Sequence, residues 1–156
     1  MGRIAVVALG SNLGDRHAHL ELAISRLRQF LEDIQVSPVH ETEPVGVTGD
    51  QPPFLNAAVV GRTTLDAAGL LRALLTIERD AGRERPFPGA ARTLDLDLIL
   101  CGESVIDQPD LHVPHPRFRE RRFVLEPLAE IAPGLKDPVT GLTVSELLGR
   151  LGPPAR

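Results

Sequence analysis

Apolar and polar residues fall along this chain in two rhythms, a period near two and a period near 3.6. From Arg3 to Leu9 the residues are almost all apolar, as in a buried strand, and the turn-rich Gly10-Ser11-Asn12-Leu13-Gly14-Asp15 ends the run. Leu20, Ala23, Ile24, Leu27 and Leu31 then recur at helical spacing. A second strand is predicted from Ile34 to Glu41, and a long proline- and glycine-marked loop from Pro44 to Pro53. Phe54 to Thr63 alternates as a third strand. Asp66 is placed to cap a second helix whose core face is Leu70, Leu74, Ile77 and Ala81, with Gly82 at its C-terminal end. Another Pro/Gly loop, Arg83 to Ala91, leads into a strand from Thr93 to Leu100. A short hairpin arm follows at Glu103 to Ile106, then an irregular stretch from Pro109 to Pro116 and a helix from Arg121 to Ile131. Thr143-Val144-Ser145-Glu146 has the form of a capping box opening a final helix. The order β-α-β-β-α-β predicts an α+β, ferredoxin-like core: a mostly antiparallel sheet with helices packed on one face and additional C-terminal helices.

The 156 residues suit one domain, 1–156, with a core of its own. No apolar run approaches the ~20 residues that span a bilayer, and the N-terminus has no signal-peptide pattern, so a cytoplasmic protein without a membrane partner is expected. Cys101 is the only cysteine, which excludes an internal disulfide and a cysteine-built zinc cage. A net charge of −4 argues against nucleic acid as a partner. Within that acidic balance the 17 basic residues include a single lysine, Lys136, and arginines cluster at 79, 83, 85 and 92 and at 117, 119, 121 and 122. GC-rich codon usage accounts for the ratio but not for the clustering. Guanidinium groups gathered in this way suit a small polyanion, since they grip phosphate bidentately.

The candidate chemistry centres on Arg92-Thr93-Leu94-Asp95-Leu96-Asp97-Leu98-Ile99-Leu100. On a strand, Leu94, Leu96, Leu98 and Leu100 share one face, and Thr93, Asp95 and Asp97 share the other. The two carboxylates then stand roughly 7 Å apart at Cα, close enough to reach one hard cation or to bridge two. Magnesium takes one or two carboxylates and completes its shell with phosphate oxygens and water. A bare Asp-x-Asp on a half-exposed strand is common, but these two lie beside arginines 83, 85 and 92 in a Pro/Gly loop, which suits a triphosphate. His115, between Pro114 and Pro116, is held stiffly and stands next to the second arginine cluster. Trp and Tyr are absent; Phe54, with Asn56 two residues on, and Phe123 lie beside loops, where aromatic faces and an amide can recognise a flat heterocycle. Neither a G-x-x-x-x-G-K-[ST] loop nor a G-x-S-x-G elbow is present.

Taken in order, Gly10-Ser11-Asn12-Leu13-Gly14, Thr42-Glu43-Pro44-Val45-Gly46, Phe54-Leu55-Asn56-Ala57-Ala58-Val59, Gly82-Arg83-x-Arg85, Arg92-Thr93-Leu94-Asp95-Leu96-Asp97-Leu98, Val113-Pro114-His115-Pro116 and Phe123-Val124-Leu125-x-Pro127-Leu128 resemble the 6-hydroxymethyl-7,8-dihydropterin pyrophosphokinases of folate biosynthesis. The resemblance runs from the first strand to about Pro133. It implies transfer of pyrophosphate from ATP to the pterin hydroxymethyl group, with release of AMP and catalysis by positioning and electrostatics. By the same resemblance Asp95 and Asp97 bind two magnesium ions, and Arg83 and Arg92 stabilise the pyrophosphoryl group in flight. Glu78, Arg85, Arg92, His115 and Arg121 serve ATP; Phe54 and Phe123 sandwich the pterin, and Thr42, Val45 and Asn56 satisfy its edge. Its expected partners are these two small molecules, and a monomer is expected. The chain departs from the pattern where members often carry a tryptophan before Arg92: that place is Gly89, with Phe87 nearby. Glu43, Asp110 and His112 are further departures, at positions where proline, arginine and a small hydroxyl residue are often found.

Two rival functions use the same residues. A metal-dependent phosphohydrolase would consume ATP without an acceptor, and a nucleotide-binding module would hold ATP without turnover. Loops 44–53 and 83–91 are expected to act as lids.

Overall fold

The structure, a computed structural model, describes residues 2–42, 53–82 and 94–153. In chain order the elements are β1 (Arg3–Ser11), α1 (Arg16–Leu27), β2 (Glu32–Val36), β3 (His40–Thr42), β4 (Phe54–Thr63), α2 (Ala67–Asp80), β5 (Asp95–Cys101), β6 (Ile106–Gln108), β7 (Leu111–Val113), α3 (Arg122–Ile131) and α4 (Val144–Arg150), with a 3-10 turn at Phe118–Glu120. The main sheet runs β2-β4-β1-β5 with β3 also on β4, and its described pairings are all antiparallel. This is the ferredoxin-like α+β arrangement that the order of elements predicts.

Strand alternation divides the core into two layers. Ala5, Val7 and Leu9 of β1, Leu55 and Val59 of β4, and Leu96 and Leu98 of β5 meet Leu20, Ala23 and Leu27 of α1 and Leu70, Leu74 and Ile77 of α2. Val6 and Ala8, Ala58 and Val60, and Leu100 point the other way, onto Phe118, Val124, Leu125, Leu128, Val144 and Leu147. So α1 and α2 cover one face, as expected, and the C-terminal helices cover the opposite face. Each fully buried aliphatic side chain contributes about 1.5–3 kcal/mol of hydrophobic stabilisation.

Local signals place the helix ends. Asp15 accepts a hydrogen bond from the Ala18 amide at 3.1 Å, and Asp66 accepts one from the Gly69 amide at 2.8 Å. Gly82 follows α2 with a φ of +79°, a backbone state that glycine adopts without steric cost. Thr143 and Glu146 complete a reciprocal capping box at α4.

The strands differ from the sequence prediction in several places. The strand predicted from Ile34 to Glu41 is two strands, β2 and β3, split around Ser37-Pro38-Val39; Pro38 has no amide to give a ladder. The hairpin pairs Ile106–Gln108 with Leu111–Val113, so β7 occupies part of the stretch expected to be irregular. In β5 the register shifts: Val7 faces Leu98 but Val6 faces Leu100, leaving Ile99 as an extra residue. The bulge turns Leu100 to the C-terminal-helix face instead of the Leu94–Leu98 face.

Candidate active site

Asp95 and Asp97 begin β5, at the edge of the sheet, with side chains on the face that carries α3. Their cross-strand neighbours set the rest of the site. Gly10 of β1 faces Asp95 on one side and Asn56 of β4 on the other, and Asn56 in turn faces His40 of β3. One row across four strands therefore runs His40, Asn56, Gly10, Asp95, and residues in register point to the same face. Phe54 and Thr42, paired with each other two places along, share that face. The Asn56 amide donates to Thr42 Oγ1 at 2.6 Å, which holds the side chain of a residue that is 5% exposed. Gly10 leaves space between the ends of the row: a Cβ there would lie 3.4 Å from Asn56 Oδ1 and 3.8 Å from Phe54 Cδ1.

Among the described residues no strand pairs with the outer edge of β5, and two groups bond to it. Glu78, buried on α2, accepts from the Leu96 amide at 2.7 Å, at the peptide between the two aspartates. The His115 amide donates to Ile99 O at 2.9 Å, so the bulge residue supplies the carbonyl that docks the 113–116 segment onto the strand. This brings His115 beside Asp95. Its Nδ1 accepts from the Arg117 amide at 3.1 Å, which places the proton of the neutral ring on Nε2. Burial, with Arg121, Arg117 and His112 adding to it against the pull of Asp95, lowers the His115 pKa from 6.5 to about 4. At neutral pH His115 is an uncharged N–H donor.

Arg121 follows the 3-10 turn and precedes α3. Its Nη1 stands 3.8 Å from Asp97 Oδ2, and its guanidinium lies 5.5 Å from the centroid of the Phe123 ring. Phe123, on the first turn of α3, keeps 39% of its surface exposed. The segment is anchored from behind: Arg119 donates to both oxygens of Asp137, whose carboxylate also accepts from Thr140 Oγ1 and the Val139 amide.

The structure thus brings Asp95, Asp97, His115 and Arg121 together, and sets Thr42, Phe54 and Asn56 on the same face of the sheet as the aspartates. Glu78 lies behind the strand, turned to the Leu96 amide. Val45, Arg83, Arg85 and Arg92, and both expected lid loops apart from Pro53, fall outside the described residues. Among the described residues no group of three or more His, Cys, Asp or Glu side chains is placed to hold a metal. A carboxylate pair of this kind fits magnesium arriving with phosphate oxygens and water, and does not fit a closed structural metal cage. Gly10 as the link between strands was not singled out by its residue type; only the register reveals it. Glu78 did carry a signal, since position 78 continues the Leu70–Leu74 stripe, and a carboxylate on a core stripe needs a buried partner.

Residues 6–133 match the family model of 7,8-dihydro-6-hydroxymethylpterin-pyrophosphokinase. The chain belongs to this family. A Bacillus subtilis relative named 2-amino-4-hydroxy-6-hydroxymethyldihydropteridine pyrophosphokinase is 46% identical over 133 residues, covering 84% of this chain and 79% of the relative. A Pseudomonas aeruginosa relative of the same name is 42% identical over 144 residues, covering 91% and 88%. In fold, the chain resembles the crystal structure of an HPPK-DHPS in complex with substrates, with a TM-score of 0.77 at 16% identity. That match covers 96% of this chain and 43% of the longer one. Membership makes the protein a pyrophosphokinase with ATP as its co-substrate. Among the described residues no helix is long and apolar enough to cross a membrane.

Proposed function

We propose that this chain transfers the terminal pyrophosphoryl unit of ATP to 6-hydroxymethyl-7,8-dihydropterin, giving AMP and the pterin diphosphate, and that the site above divides the work. The row Asn56, Gly10, Asp95 carries the reading, because it joins an amide suited to the edge of a flat heterocycle to a carboxylate pair across a glycine with no side chain to separate them. The hydroxymethyl oxygen forms a bond to the β-phosphorus, the bond from that phosphorus to the oxygen bridging the α-phosphate breaks, and that oxygen leaves on AMP. The hydroxyl proton passes to solvent.

Asp95 and Asp97 hold magnesium, two ions in this reading. Magnesium there supplies charge neutralisation on the phosphate oxygens and lowers the cost of charge building up during transfer. His115 donates from Nε2 to the triphosphate, and Arg121 places its guanidinium between the phosphates and Asp97. Arg83 and Arg92 stabilise the group in flight, with Arg85 and Glu78 on the nucleotide side; Glu78 acts there through the Leu96 amide. Phe54 and Phe123 take the faces of the pterin, and Thr42, Val45 and Asn56 its edge. The Asn56 amide donates to Thr42, which leaves its carbonyl oxygen turned toward Gly10 and the substrate. The chain acts as a single catalytic domain, 1–156, as a monomer in the cytoplasm.

The test is AMP release from Mg-ATP with and without the pterin, alongside Asp97→Ala. AMP that depends on the pterin and vanishes in the variant supports the reaction and the metal assignment. ADP or phosphate formed without pterin points to a hydrolase, and bound ATP without turnover to a binding module.

A further inference from the structure

Arg16 opens α1, directly after the Asp15 cap, where a cation works against the positive end of the helix dipole. Its side chain is partly buried and reaches across 37 residues to donate from Nη1 to the Pro53 carbonyl at 2.7 Å. Pro53 is the residue before β4, and Phe54 is the first residue of that strand. On the other side of Phe54, Leu55 is paired with Ser11, at the end of β1 and five residues before Arg16. The β1–α1 turn therefore grips the chain at 53 through a side chain and at 55 through a strand pairing, with Phe54 between the two grips. A guanidinium is well suited to the outer grip because it is long, always charged and forms strong hydrogen bonds to carbonyl oxygen.

We propose that Arg16 is a positioning residue for the pterin pocket: it touches no substrate, and its bond to Pro53 sets the Phe54 ring against the heterocycle. The inference rests on the proposed pterin site. Its effect should fall mainly on one substrate, because the contact holds the start of β4, whereas the aspartates lie on β5 and His115 and Arg121 on the segment docked against it. Arg16→Met keeps the length of the side chain and removes its donors; Arg16→Lys keeps a charged donor that can reach the carbonyl; Phe54→Ala reports on the pterin site itself. Steady-state AMP release is measured with each substrate varied in turn, together with the melting temperature.

Arg16→Met raises the KM for pterin about tenfold, the scale of one lost charge-assisted hydrogen bond. The KM for ATP and the melting temperature stay at their original values, and Arg16→Lys recovers most of the loss. An unchanged pterin KM in Arg16→Met, while Phe54→Ala raises it, overturns the role of Arg16 alone. Equal rises in both KM values with a lowered melting temperature also overturn it, by showing a contact that serves only the fold. An unchanged pterin KM in Phe54→Ala removes the pterin-site reading, and the inference with it.

Discussion

Glu78 accepts a hydrogen bond from the Leu96 amide at 2.7 Å, so a buried carboxylate on one side of the sheet holds the peptide between two aspartates that point to the other side. Removing the acceptor strands an edge amide and loosens both aspartates, the proposed magnesium ligands, at once. Glu78→Ala is expected to lower stability by about 1–3 kcal/mol in urea unfolding. It should also raise the magnesium concentration needed for half-maximal AMP release. Glu78→Gln keeps a carbonyl acceptor and should retain the fold and most of the activity. A folded but inactive Glu78→Gln would mean that the charge acts on the nucleotide directly.

His115 should be neutral throughout the physiological range. Burial is the main cause, cationic neighbours reinforce it, and the pKa falls from 6.5 to about 4. The folded chain then refuses a proton that the unfolded chain binds, so this residue's part of the stability is complete above pH 6.5 and declines as pH falls towards 4. NMR titration should give a midpoint near 4 for the His115 ring in the free protein, and activity should show no limb from it between pH 6 and 8. Bound ATP should move the midpoint upward, since phosphate charge favours the imidazolium. A midpoint unmoved by ATP would place the triphosphate away from this ring.

How far the sequence revealed these relationships depended on the range of the interaction. Alternation along β5 put Asp95 and Asp97 on one face correctly, because period-two patterning is a property of the strand alone. It failed at Leu100, because a bulge arises from the pairing of two strands and Ile99 looks like any other aliphatic residue in the run. The caps at Asp66 and Thr143 were legible because the partner lies three residues away. The docking of His115 on Ile99, the grip of Arg16 on Pro53 and the place of Gly10 between two strands are long-range, and no local spacing encodes them. Family resemblance supplied the expected roles of Glu78 and Arg121; what it did not supply was the hydrogen bond to Leu96 or the anchoring of Arg119.

That anchoring sets a stability prediction. Asp137 is 1% exposed; burial alone would raise its pKa, but hydrogen bonds from Arg119, Thr140 and Val139 outweigh it and hold the value at about 2, against 3.8 for the free group. A lowered carboxylate stabilises the fold above pH 3.8 and stops doing so as pH falls through 2, a contribution of roughly 2 kcal/mol. Arg119→Ala leaves that carboxylate buried without its main partner and should cost about 3–5 kcal/mol. Thr140→Val removes one neutral donor and should cost about 1 kcal/mol. Urea unfolding at pH 7 and pH 3 checks both. The Arg119→Ala loss should be smaller at pH 3, where part of the wild-type advantage has already gone.

Gly10 separates two kinds of failure. A methyl group at this position meets Asn56 Oδ1 at 3.4 Å and Phe54 Cδ1 at 3.8 Å, ordinary contacts, so Gly10→Ala should fold. Replacing glycine within a strand also lowers the entropy of the unfolded chain, which favours the variant slightly. The added atom nevertheless stands on the face shared by Asn56 and Asp95, which in the proposed reading the reacting hydroxymethyl group has to pass. Gly10→Ala should therefore raise the KM for pterin several-fold and leave the KM for ATP and the melting temperature close to wild type. Gly10→Val, larger and at ease in a strand, should fold and lose pterin-dependent AMP release almost entirely while still binding Mg-ATP. Calorimetric titration with each substrate distinguishes the cases. Wild-type pterin affinity in Gly10→Val would mean that the ring does not lie over this row, and the pterin site would then have to be sought beside Phe123 alone.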